Sequence, residues 1–178
     1  ISDISDASRL DAELSRAETR PVPLAQLLQT LADIHTATMK TLAPHIALEL
    51  PDGDDLTVPG IESRLAQVMR NLIANAISFS PPNGAITIQA RRDAQAIRLS
   101  IDDEGPGIPE GKTEAIFDRF YSERPRGEKF GTHSCLGLAI SRQIVTAHQG
   151  HIRAINRIDS QGRVLGARFE VELPAQED

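Results

Sequence analysis

Asn71 and Asn75 stand four positions apart in the most regular apolar repeat of the chain, so both amides leave one side of a helix beside its apolar stripe. Asn is a weak helix former, and a half-buried amide with unmet hydrogen bonds costs about 1–3 kcal/mol, so the pair should have a use. One use is an oxygen ligand for a hard cation such as Mg2+; the plainer one is bonding to nearby backbone. A second group, Asp103-Glu104-Gly105-Pro106-Gly107-Ile108, directly follows a strand. Its alternating glycines let backbone approach a flat ligand, and its carboxylate can accept from an exocyclic amine, although a tight acidic turn has the same composition. The third group, Gly131-Thr132-His133-Ser134-Cys135-Leu136-Gly137-Leu138, runs into a helix. Free N–H groups and the helix dipole make such a junction an anion site, and Ser134 as an ordinary N-cap explains it equally.

Two further stretches bear on these groups. Ile116-Phe117-Asp118-Arg119-Phe120-Tyr121 is the one aromatic cluster of the chain, with Arg124, Arg126 and Lys129 close behind it. Phe117 and Phe120 can anchor the surrounding loop, and Arg119 can reach an anion or simply face water. Pro106 to Thr113 imitates a phosphate-cradling loop ending Gly111-Lys112-Thr113. That reading fails, because Pro106 replaces the first required glycine, prolines remove N–H donors, and Asp102-Asp103-Glu104 would repel phosphate.

Helical spacing of apolar residues positions these groups. It predicts helices over residues 2–18, 24–42, 61–80 and 136–148, with a short helical piece at 113–120. Alternation predicts strands over 46–50, 56–58, 85–92, 96–101, 152–158 and 164–173. Pro21-Val22-Pro23 reads as a boundary after the first helix, Asp93-Ala94-Gln95 as a hairpin turn, and Gly150 as the cap of the last helix. The long Gly-, Pro- and charge-rich stretch between is expected to be a lid, with weak order over about residues 110–131.

Composition narrows the rest. The 178 residues and 40% apolar content suit one core; 25 acidic against 19 basic residues give a charge of -6, so no global positive field draws nucleic acid. A single cysteine excludes an internal disulfide and cysteine-built metal clusters.

The order of an N-x-x-x-N helix, a strand ending in D-x-G-x-G, an aromatic box and a Gly-containing helix start resembles the ATP-binding catalytic domain of sensor histidine kinases. These belong to a superfamily with gyrase, Hsp90 and MutL, and the likeness spans about residues 21–173. It implies an α/β two-layer sandwich of a mixed β-sheet and helices, the Bergerat fold. Residues 1–20 would be the end of a dimerisation helix, matched by Ile4 to Leu10, and 21–178 the ATP-binding domain with its lid at about 106–134.

The resemblance also implies ATP and Mg2+ as cofactors, with Asn75 the metal ligand and Asn71 its support, and Ser78 and Phe79 in the same box. Asp103 would read adenine, Gly105, Gly107 and Ile108 would give the base room, and Arg119 would touch phosphate. Thr132, His133, Ser134, Leu136, Gly137 and Leu138 would line the phosphates. Relatives that hydrolyse ATP carry Glu where Asn71 stands, and an amide cannot take a proton from water, which favours transfer to a protein acceptor. None of the five histidines is followed by an acidic residue, as the family's phosphoacceptor is, so that residue lies outside this chain. Implied partners are the protein's own dimerisation/phosphoacceptor domain and a response regulator, with a full-length homodimer whose cytoplasmic portion this is, and no nucleic acid. Two departures stand out: Cys135 where the family opens its last box with Gly, and Ser78 where many members carry a cation. They keep open a degenerate, non-catalytic interaction module; a related anti-sigma kinase or ATPase is the other alternative.

Overall fold

Leu24, Leu28 and Leu31 recur at one face of a helix, and burying them is worth roughly 1.5–3 kcal/mol each, which fixes the side that turns inward. The computed structural model describes residues 2–119, 121 and 136–177, with side chains at 8–119, 121 and 137–177. Helix α2, Leu24–Thr38, ends earlier than its apolar spacing suggests. The Thr38 hydroxyl donates to the carbonyls of Ile34 and His35, and the Leu42 carbonyl accepts the N–H of Asn83 at 3.1 Å instead of continuing a helix. Helix α3, Glu62–Phe79, buries Leu65, Val68, Met69, Leu72, Ile73 and Ala76.

The strands β2 (His45–Glu49), β4 (Ala85–Asp93), β5 (Ala96–Asp102), β7 (Val164–Pro174) and β6 (His151–Ile158) form a sheet in the order β2-β4-β5-β7-β6. Only the β2–β4 pair is parallel. Period-2 alternation sends Ile86, Ile88, Ile97, Leu99, Ile101, Phe169 and Val171 into the core, while Gln89, Arg91, Arg98 and Glu172 face outward. Helix α4, Leu136–Ala147, packs beside α3 on the covered side. The expected mixed sheet with helices on one face is therefore the observed fold.

Pro21-Val22-Pro23, which reads as a break, is ordered as a strand. β1, Arg20–Pro23, pairs antiparallel with β3, Thr57–Gly60, in register Val22↔Val58. Prolines survive in a two-stranded ribbon because each strand leaves one edge unpaired, and Val22 between them is buried. Helix α1, Ser2–Arg16, has too little apolar surface to stand alone and leans on α4. Leu10 is buried there, and Asp11 accepts a bond from Gln143 at 2.6 Å.

Two local expectations change. The helical piece at 113–120 is a single 3-10 turn, Ala115–Phe117, which turns both Ile116 and Phe117 into the core. The last long helix is not capped by Gly150. Gln149 takes the left-handed conformation, φ 61°, while the Gly150 N–H reaches the Val145 carbonyl at 2.9 Å. Glycine is needed at 150 for space, since a Cβ there would run into the Glu172 carbonyl.

Candidate nucleotide site

Helix α3 begins without a side-chain cap of its own. The Ile61 N–H donates instead to His148 Nε2 at 3.1 Å, and His148 Nδ1 donates to the Ile144 carbonyl at 2.8 Å. This network assigns the Nδ1–H tautomer and hooks the end of α4 to the start of α3. Nearly three turns further along, Asn71 Nδ2 donates to the Gly137 carbonyl at 3.2 Å and to Ser141 Oγ at 3.3 Å. The Ser141 hydroxyl itself donates to the Gly137 carbonyl at 2.7 Å. The first amide of the pair is therefore spent on fastening the start of α4 to α3. Asn75, one turn on and half-buried, makes no side-chain hydrogen bond to any described residue. The two amides have parted roles: one ties helices, the other keeps its oxygen.

Asp103 follows the end of β5 and is 1% exposed. Its Oδ1 accepts the N–H of Gly105 at 2.8 Å and of Ala167 at 3.1 Å, while Oδ2 accepts nothing from the described residues. Burial pushes this carboxyl above its ordinary value; the two N–H groups and the Arg157 charge pull it back, and Asp102 pushes with burial. The loop that follows crosses the end of α3, where a Cβ on Gly105 would stand 2.7 Å from the Phe79 carbonyl. That contact brings the end of α3 at Phe79 next to the glycine loop, with half-buried Ser78 one residue before it, and Ile108 buries its side chain at the loop's far end. Gly107 has φ +82°, a conformation a side chain resists.

Several supports of Asp103 escape sequence reading. Arg168 grips Asp102 with two bonds, Nε at 2.7 Å and Nη2 at 2.8 Å, and Arg157 Nε lies 3.4 Å from the same carboxylate. Arg157 Nη1 also donates to the Asp103 carbonyl at 2.6 Å. Of two adjacent buried carboxylates, Asp102 is thus neutralised on the outer face, and Asp103 keeps one oxygen open on the inner face. Gly166 has no Cβ because the Asp103 carbonyl occupies that space. The available signal was the cross-strand pair Asp102↔Arg168, which becomes visible only once the strands are in register.

Phe117 meets Phe169 edge-on at 6.3 Å, with the Arg142 guanidinium 5.6 Å from its ring centre. Arg119 borders an open groove of about 950 Å3 together with Asp11 of α1 and Arg142 and Gln143 of α4. Gly137 and Leu138 lie in the first turn of α4, which Leu136 opens. Phe120, Thr132, His133, Ser134 and Cys135, and with them most of the expected lid, lie outside the described residues. Among the described residues no three His, Cys, Asp or Glu side chains gather as a metal-ligand set.

Asn71 ties two helices together, Asn75 carries an amide with no partner among the described residues, and Asp103 is a half-satisfied buried carboxylate beside a glycine loop. Residues 60–177 match the family described as histidine kinase-, DNA gyrase B- and HSP90-like ATPase, and the chain belongs to it, among the catalytic domains of sensor histidine kinases. The sensor protein ChvG of Rhizobium meliloti is 45% identical over 98% of this chain, which covers 31% of that protein. The chain thus spans about a third of the length of such relatives. The solved catalytic domain of histidine kinase ThkA superposes with a TM-score of 0.76 at 28% identity, covering 90% of this chain and all of that one. A further structure, ThkA in complex with response regulator protein TrrA, has a TM-score of 0.72 at 27% identity, covering 98% of this chain and 48% of that one.

Proposed function

We propose that this chain binds ATP with Mg2+ between α3, α4 and the loop after β5, and supplies the γ-phosphoryl group to a histidine of a dimerisation domain. The observation that carries the reading is Asp103: a buried carboxylate with Oδ1 saturated by two backbone donors and Oδ2 left for a ligand amine. Gly105, Gly107 and Ile108 form the loop beside it, with Phe79 against Gly105 and Ser78 assigned to the same box. The N–H groups at the start of α4, Leu136 to Leu138, point with the helix dipole toward anionic charge, and Thr132, His133, Ser134 and Arg119 are assigned to the same phosphates.

Asn75 is the residue assigned to Mg2+. A lone amide oxygen fits this ion, which takes its remaining ligands from phosphate and water and has no need of a carboxylate cage. Bound there, the ion would offset phosphate charge and orient the transferring group. Asn71 cannot serve as a general base for water, because its amide has no basic pair and is held by Gly137 and Ser141. Catalysis on this side then rests on positioning and charge, with the nucleophile supplied by the acceptor domain.

Residues 1–20 are assigned to the end of the dimerisation helix and 21–178 to the catalytic domain. A response regulator is the downstream partner, a reading supported by the ThkA–TrrA complex. The whole protein is read as a homodimer with this portion on the cytoplasmic side; among the described residues, no helix is long and apolar enough to cross a membrane. Calorimetry with ADP and Mg2+ tests the nucleotide reading: heat from one site is expected, and none from this chain nor from Cys135→Gly would refute it. Ser78 and Cys135 favour a non-catalytic module as the second reading, which phosphorylation of a separately supplied dimerisation domain would dispose of.

A further inference from the structure

We infer that Asn156, on edge strand β6, is a positioning residue for purine binding: its side-chain amide holds Ile108 by both backbone groups and so fixes the far wall of the glycine loop that Asp103 begins. This rests on the nucleotide reading above. Asn156 Oδ1 accepts the Ile108 N–H at 2.7 Å, and Asn156 Nδ2 donates to the Ile108 carbonyl at 2.8 Å. A side-chain amide paired with one residue's N–H and C=O imitates a strand partner, so the loop is held as though a short strand were added at that point.

The placement explains why an amide stands here. Alternation along β6 puts Asn156 on the same covered face as buried Ala154, where an unbonded amide is destabilising. Every hydrogen bond it makes to the described residues goes to Ile108. Its cross-strand partner is Ala167, whose N–H donates to Asp103 Oδ1 and whose carbonyl accepts the Asp103 N–H at 3.0 Å. One pair of facing residues therefore grips both ends of the segment from Asp103 to Ile108. Ala167 sets where the carboxylate points, and Asn156 sets how far away the opposite wall stands. Between the two grips lie Gly105 and Gly107, which cannot hold a shape by themselves. Gly107 is also pressed from this side, since a Cβ there would come 2.7 Å from Asn156 Oδ1. A ligand base that enters a loop already fixed at both ends loses nothing to ordering it.

The test is calorimetry of the whole chain with ADP–Mg2+ and, separately, with inorganic tripolyphosphate–Mg2+, at a temperature well below the melting point of every variant. Asn156→Ala is expected to weaken ADP at least tenfold and to leave tripolyphosphate within twofold, because the base end alone loses its frame. Asn156→Asp keeps the shape and the bond from the Ile108 N–H but sets a carboxylate oxygen against the Ile108 carbonyl. It should weaken ADP in the same selective way, and it decides the matter alone if the alanine variant does not fold. ADP affinity within twofold of the parent, or equal losses for ADP and tripolyphosphate, overturns the positioning role while leaving the nucleotide reading intact. A parent chain that takes up tripolyphosphate but no ADP, or neither, overturns both.

Discussion

Replacing Asp103 by Asn separates a nucleotide-reading carboxylate from an acidic turn, because the two predict opposite pairs of results. The amide oxygen of Asn can take over Oδ1 and its bonds from Gly105 and Ala167, so the loop keeps its shape. The amide nitrogen then stands where Oδ2 was, and an acceptor has become a donor. Set against a ligand amine, two donors face each other without a partner, at about 1–3 kcal/mol, or roughly 5- to 150-fold in affinity. Stability should move the other way. Burial holds the Asp103 carboxyl above its ordinary value, so ionising it in the folded protein is unfavourable, and a neutral side chain of the same shape removes that penalty. The expected signature is an unchanged or higher melting temperature together with ADP affinity down by one to two orders of magnitude. Differential scanning calorimetry and titration with ADP–Mg2+ at one pH read both. Undiminished ADP affinity would refute the reasoning, as would a large fall in melting temperature, which would mean the carboxylate serves the loop and not a ligand.

The same group gives a pH dependence: ADP should bind progressively more weakly as pH falls through the raised Asp103 value, and Asp103→Asn should flatten that part of the titration curve. For stability the sign is opposite, since the folded protein holds this proton more tightly than the unfolded chain. The Asp103 contribution should favour the fold at low pH and be lost as pH rises above the ordinary carboxylate range, measured as the parent-minus-variant difference in unfolding free energy. Arg168→Ala strips the two-bonded partner from Asp102, which is 6% exposed, and leaves Arg157 at 3.4 Å. A loss of about 1–3 kcal/mol, discounted because Arg168 is partly solvated, should lower the melting temperature by roughly 3–10 °C. Gly166→Ala places a methyl on the Asp103 carbonyl, so a cost of about 1–3 kcal/mol and weaker ADP binding should appear together in thermal and calorimetric titrations.

Legibility in the sequence followed the range of the interaction. The Asn71–Asn75 spacing, the Asp103 loop and the long repeat of α3 were visible because each depends on residues a few positions apart, which periodicity reports directly. Strand β1 was hidden because its prolines suppress the local strand signal and its partner β3, which alternation did mark at 56–58, lies 34 or more residues away. Arg157, Arg168 and Gly166 were hidden for the same reason: each acts on the segment at 102–103 across a sheet whose pairing no local pattern states. Gln149 in a left-handed turn shows the other limit, where close packing at Gly150 claims the glycine that conformation alone would place one residue earlier.

Helix α1 touches both helices that frame the proposed site. Leu10 and Leu14 form its seam; Asp11 and Glu13 stand roughly 80° to either side of that seam at 3.6 residues per turn. Asp11 holds Gln143 of α4 and Glu13 holds Arg64 of α3. Turning the rod about its own axis therefore tightens one handhold as it slackens the other, and a rotation entering along α1 arrives between α3 and α4 as shear.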